Sequence, residues 1–133
     1  MNRTAQCQCG ALRVDTESEP LGVLVCHCTG CQQRTGSAFG FSAYFRKGEV
    51  KISGEFTTWE RKGETGNSFK SNLCPTCGTA VFWHLGMSPG VVGVAAATFG
   101  DRAFPAPQAS IWEEHAFPWA VVTSASEHLP RQS

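Results

Sequence analysis

Seven cysteines fall into three groups, and their spacing points to metal chemistry before anything else in this sequence. Cys7-Gln8-Cys9-Gly10 comes first, Cys26-His27-Cys28-Thr29-Gly30-Cys31 second, and Cys74-Pro75-Thr76-Cys77-Gly78 third. An odd number cannot pair completely into internal disulfides. In a reducing compartment such a cluster serves metal binding or catalysis more often than a disulfide framework. Cys74 and Cys77 have the spacing that turns two sulfurs toward one ion. Gly78 permits the positive φ of a tight turn after the second sulfur, and Cys9-Gly10 repeats that feature. One pair from each end supplies four thiolates, the closed tetrahedral set of a structural zinc: Cys7, Cys9, Cys74 and Cys77. Residues 10 to 73 lie between the pairs, far more than in an ordinary zinc ribbon, so the metal would tie the N-terminus to a late part of the chain. The rival reading of Cys74 and Cys77 is a redox dithiol. That requires a helix opening at the motif, whereas Thr79 to His84 reads as a strand.

The second group differs in kind, with three cysteines inside six residues. If Val25 to Cys28 is extended, Cys26 and Cys28 point to one side and His27 to the other. Thr29-Gly30 then turns Cys31 back, at or near a helix N-terminus, where thiolate is favoured. Cys26, Cys28 and Cys31 thus offer three ligands and leave the fourth position of a zinc open, as in catalytic sites. His27 is the candidate fourth ligand, but it lies on the wrong face of an extended segment. Three buried, metal-free thiols are the plain alternative. Three thiolates on one divalent cation leave −1, a poorer acidifier of water than a three-histidine zinc. A soft thiolate suits the open position better. His84, His115 and His128 are isolated and read as packed or surface residues. Glu113-Glu114-His115 is a polar cluster that sequence cannot place at a site.

The elements that must position these groups are short strands broken by Gly, Pro, Ser and Asn. Ala11–Val14, Val23–Cys26, Val50–Ile52, Phe56–Trp59, Ala80–His84, Val91–Ala97 and Ala109–Trp112 are candidates. Phe39, Phe41, Ala43 and Phe45 alternate with Gly40, Ser42 and Tyr44, the period of a strand with one buried face. One short helix is expected from near Cys31 to before Gly36. This pattern predicts a mainly β domain. Beyond Asp101, Phe104, Trp112, Phe117 and Trp119 among prolines predict an extended arm that packs its rings on the sheets.

At 133 residues the chain has the size of one domain, taken as 1–133 with a core of about 5–122. Net charge is zero, with no basic block, which argues against nucleic acid. Seven thiolates and two zinc ions would shift the charge by −3, in the same direction. Met1 to Cys9 lacks the apolar run of a signal peptide, and no window is apolar enough to span a bilayer. A cytoplasmic protein without a membrane partner is the expectation.

Cys-x-Cys-Gly at Cys7, Cys-His-Cys-x-x-Cys at Cys26, Thr35-Gly36-Ser37, Cys-x-x-Cys-Gly at Cys74, and the late Ile111-Trp112 and Pro118-Trp119 occur together in one order. The chain resembles, from about Cys7 to Trp119, the family of the glutathione-dependent formaldehyde-activating enzyme, which includes centromere protein V. The resemblance implies small antiparallel sheets in a zinc-stapled, Mss4-like β-tent. It implies a structural zinc on Cys7, Cys9, Cys74 and Cys77, and a catalytic one on Cys26, Cys28 and Cys31, two per chain. The activity it implies is a carbon–sulfur lyase reaction, run as condensation of formaldehyde with glutathione to S-hydroxymethylglutathione. The expected partner is thus a small thiol or thiol–aldehyde adduct. Leu73 stands where the family often has an aromatic residue, and Ser110 where it often has histidine. Neither is a ligand, and both bear on the substrate. Arg34, Arg46, Lys47 and Arg61 are candidate cations for glutathione carboxylates. A zinc-stabilised binding module for a protein or chromatin partner is the alternative from another class. A methionine sulfoxide reductase of similar fold would need a further reactive cysteine, and all seven are assigned.

Overall fold

The computed structural model describes residues 2–63 and 66–132. Eleven strands and one α-helix are formed among them. They are β1 (Arg3–Gln6), β2 (Arg13–Thr16), β3 (Gly22–Cys26), α1 (Thr29–Thr35), β4 (Gly40–Arg46), β5 (Val50–Ser53), β6 (Thr57–Lys62), β7 (Ser68–Leu73), β8 (Ala80–Leu85), β9 (Val91–Ala95), β10 (Ala109–Ile111) and β11 (Glu127–His128). The protein is therefore mainly β, as the short runs predict. A three-stranded sheet has the order β1-β2-β5, and a larger one runs β11-β10-β3-β4-β9-β8-β7-β6. Pairing is antiparallel except at one edge, where β10 lies parallel to both β3 and β11. Residues 112 to 126, between β10 and β11, permit the second of these pairings, because a parallel neighbour cannot be reached through a tight turn. No helix among the described residues is long and apolar enough to cross a membrane.

The larger sheet has two differently employed faces. One carries Val23, Ala43, Phe45, Phe82, Val92 and Val94 into the main core, where they meet Leu12 and Val14 from the small sheet. The other face carries the site. Residues opposite each other in a ladder share a face. Leu24 pairs with Ser42 and Cys26 with Gly40. Tyr44 pairs with Gly93, Gly93 with Trp83, Trp83 with Ser71, and Ser71 with Trp59. β4 is thus covered on both sides: Gly40 and Ser42 are buried as well as Ala43 and Phe45, not the single buried face its alternation predicts. The second cover is α1 with Trp112, which packs against Cys26 and Cys31. Gly93 is the hinge of this arrangement. A Cβ there would stand 2.1 Å from Trp83 Nε1, so only glycine lets the indole lie flat across β9.

Helix α1 begins at Thr29, two residues before the expected start. Its cap is Cys28, whose Sγ accepts the Cys31 N–H at 3.3 Å. A thiol in the place of the usual Ser, Thr, Asp or Asn is not a recognisable start signal. The end is as expected: Gly36 is left-handed at φ 65 and donates its N–H to Gln32 O.

The late segment fulfils only half of its expectation. Phe104 stacks on Phe99 and enters the core, and Trp112 is buried. Phe117 and Trp119 instead stack on each other at 5.9 Å and remain 46% and 74% exposed. Pro118 separates them, and a Pro-rich segment outside any ladder need not face a sheet. Residues 127 to 131 return to the edge of β10, where Trp112 donates its N–H to Arg131 O and Leu129 its N–H to Ser110 O.

Candidate metal centre

The four cysteines of the outer groups converge. Cys7 and Cys9 leave β1 in one turn, and Cys74 and Cys77 occupy the turn between β7 and β8. Both turns end on a left-handed glycine. Gly10 N donates to Cys7 O at φ 82, and Gly78 N to Cys74 O at φ 80. The four Sγ atoms lie within 4.8 Å of one another. Cys9 Sγ is 3.6 Å from Cys7 Sγ and 3.7 Å from Cys74 Sγ. Zinc at about 2.3 Å from each sulfur of a tetrahedron sets sulfurs about 3.8 Å apart, so the spacing fits that ion. Backbone N–H groups also point at sulfur: Leu12 N to Cys7, and Thr76 N and Cys77 N to Cys74. At Cys7 the Leu12 donor, working against burial, favours thiolate, the form that ligates metal. The Thr79 hydroxyl, 3.2 Å from Cys77 Sγ, and the Thr79 backbone hold that thiol down to about 5. No helix opens at Cys74; β8 follows, which leaves the redox reading without its expected context.

Cys26, Cys28 and Cys31 form a second group, again with sulfurs within 4.8 Å. Cys26 ends β3, Cys28 caps α1 and Cys31 lies in its first turn. Cys26 and Cys31 are buried and Cys28 half-buried. Contact with the Cys26 and Cys31 thiols, against the effect of burial, holds Cys28 far below the ordinary thiol range, and Arg61 adds to this. The Cys26 thiol is pushed up by the same contact, with Cys28 first and Cys31 second. Three sulfurs sharing protons this closely are a donor set suited to a divalent cation in place of those protons.

His27 is not in this group. It is buried on the other side of the strand end, with Nε2 3.0 Å from Ser110 Oγ and its ring 5.5 Å from Phe39. The extended-segment reading of its direction therefore holds, and Ser110 is its partner. His84 neighbours Asn72, and His128 pairs with Glu113 at 2.7 Å. Glu114 pairs with Arg131 at 3.0 Å. Of the Glu113-Glu114-His115 cluster only His115 turns toward α1, 3.4 Å from Thr29 Oγ1.

A cavity of about 180 Å³ opens on the three sulfurs. Leu24, Ile111 and Trp112 form one wall, and Phe69, Trp83, Arg34 and Arg61 another. Of the four candidate cations, Arg34 and Arg61 are here. Arg46 lies outside, near Glu49, and Lys47 follows it at the end of β4. Phe69, Trp83 and Tyr44 line the cavity as well and belong to no sequence motif. Their only signal is strand parity, which depends on a register that sequence does not give.

Two zinc ions per chain are expected in protein purified without chelator, measured by elemental analysis against protein concentration. A ratio at or below one, unchanged after zinc is supplied, would remove the second site.

Comparison with known families places these features. The sequence model of the glutathione-dependent formaldehyde-activating enzyme matches residues 2–115. No curated protein matches. Among solved structures, a Rhodobacter sphaeroides protein is similar with TM-score 0.57 and 24% identity, over 71% of this chain and 85% of its own. That likeness concerns the fold alone. The family match spans most of the sequence and includes both cysteine groups, so the chain belongs to the family of the glutathione-dependent formaldehyde-activating enzyme.

Proposed function

We propose that the protein is a carbon–sulfur lyase working on a thiol adduct, with formaldehyde and glutathione as the pair that its family points to. The observation that carries this is the three-sulfur group facing a cavity, beside a separate four-sulfur group away from it. Two clusters of one ligand type with different ligand numbers fit a division of labour: Cys7, Cys9, Cys74 and Cys77 for folding, Cys26, Cys28 and Cys31 for chemistry. Zinc bound by the three would supply a soft positive centre that favours thiolate over thiol in the incoming substrate.

Condensation joins the thiol sulfur to the aldehyde carbon, and the thiol proton ends on the aldehyde oxygen. The chain's own residues prepare that step. Cys26 is fixed by the end of β3, Cys28 as the cap of α1, and Cys31 by the α1 backbone. Leu24, Ile111 and Trp112 displace water from one side of the sulfurs. A dry surround strengthens attraction between the site and a charged sulfur.

Exchange spectroscopy by NMR tests the substrate pair. Zinc-loaded protein is expected to accelerate exchange between formaldehyde and S-hydroxymethylglutathione by at least 100-fold over the uncatalysed rate, a modest figure for positioning and charge stabilisation. No acceleration rejects this pair.

A further inference from the structure

Arg34 has no role in the chemistry above, yet its setting is built. Its Cζ lies 4.4 Å from the Trp83 ring centre and 5.9 Å from that of Phe69. Its Nε and Nη2 are buried and donate to nothing among the described residues. Buried charged donors are ordinarily paired, because the water they lose must be replaced. Gly40 makes the room. A Cβ there would stand 2.7 Å from Arg34 Nη2 and 3.4 Å from Cys31 Sγ, so cation and sulfur adjoin the same small space.

Arg61 comes to the same wall from β6. Its Cζ lies 4.6 Å from the Phe69 ring centre, and its guanidinium occupies the space that a Cβ on Gly30 would need, at 2.6 Å. Phe69 and Trp83 stack at 5.7 Å, which fixes both planes on which the cations rest. No Asp or Glu among the described residues lines the cavity. Three thiolates on a divalent cation would leave −1, and two guanidinium groups add +2, so the positive charge of the lining sits on the arginine side. The cavity of about 180 Å³ is close to the roughly 150 Å³ that encloses one benzene ring, so the group that enters is compact.

We propose that Arg34, with Arg61 beside it, forms an anion subsite for the carboxylate of a compact thiol or thiol adduct whose sulfur lies at Cys26, Cys28 and Cys31. The sulfur half of this rests on the lyase reading; the carboxylate half rests on Arg34 alone. Guanidinium meets carboxylate in a planar, two-bonded geometry, which suits a cation already placed over an indole.

Calorimetric titration of the zinc-loaded full chain with 3-mercaptopropionate and 3-mercaptopropionamide tests it. The two share sulfur and carbon skeleton and differ in charge. The acid is expected to bind roughly ten- to a hundredfold more tightly than the amide. In Arg34→Gln the ratio should fall to near one at unchanged zinc content, and in Arg61→Gln it should fall severalfold. Equal affinities in the native protein, or a ratio that survives both substitutions, would overturn the subsite. If Arg34→Gln does not fold, the native comparison and Arg61→Gln decide. Butyrate, which lacks sulfur, separates the two readings through NMR shifts of the Trp83 and Trp112 indole signals. If neither thiol binds, the lyase reading falls. Saturable butyrate shifts that disappear in Arg34→Gln then keep the subsite, and their absence in the native protein removes it.

Discussion

Cys74→Ser is expected to yield unfolded or insoluble protein rather than an inactive fold. Cys74 is buried, accepts two backbone N–H groups through its sulfur, and belongs to a group whose other members come from residues 7, 9 and 77. Binding of a structural zinc contributes on the order of 10 kcal/mol, comparable to the whole stability of a domain. Part of the effect is chain entropy. Closing a loop of 65 residues, as between Cys9 and Cys74, restricts the unfolded chain by about 4 kcal/mol in the cross-link model. The rest is the direct loss of a ligand and the exposure of the β1 turn. Cys9→Ser should behave alike, although Cys9 is exposed, because it is the metal and not burial that gives the residue its weight. Soluble yield and far-UV circular dichroism, with and without added zinc, provide the measurement. A folded Cys74→Ser with a native thermal midpoint, beside an unfolded Cys28→Ser, would reverse the roles assigned to the two clusters.

Cys28→Ser should have the opposite profile: a folded chain with one metal fewer and activity reduced by at least 100-fold. Its neighbours explain why folding survives. Cys28 is only half-buried, and a serine hydroxyl can take over its cap on α1, a position where serine is favoured. The ligand set, in contrast, falls from three to two, too few to hold zinc against exchange. Cobalt substitution makes this visible. Small thiols should change the spectrum of one cobalt per chain in the native protein and of none in Cys28→Ser. A native spectrum that already shows four protein ligands at both metals, and ignores thiols, would turn the protein into a zinc-stabilised binding module.

The two cysteine clusters were legible in the sequence because their turns are local: a Cys-x-x-Cys-Gly turn has one geometry almost wherever it stands. Strands with an apolar face were legible for the same reason. β7 was not, since Ser68-Phe69-Lys70-Ser71-Asn72-Leu73 mixes types on both faces, with Ser71 and Asn72 buried. Nor was β11, a two-residue pairing fixed by the edge of β10 and not by its own side chains. The cavity was least legible of all. Arg34 and Arg61 stood out only as cations among others, and what selects them over Arg46 and Lys47 is sheet register and two missing Cβ atoms, at Gly30 and Gly40. Those properties belong to pairs of residues far apart in the chain.

The junction of residue 9 with residue 74 has a consequence for the chain as it is made. Translation adds roughly 5–20 residues per second, so Cys9 is incorporated about 3 to 13 seconds before Cys74. For about the first two-thirds of that interval the β1–β2 hairpin also lacks its third strand, because β5 is Val50–Ser53. A lone pair of cysteines two apart is a weak zinc trap and an easy target for oxidation. The yield of folded protein is therefore expected to fall when zinc or reductant is withheld during synthesis, measured as the soluble fraction of newly made chain.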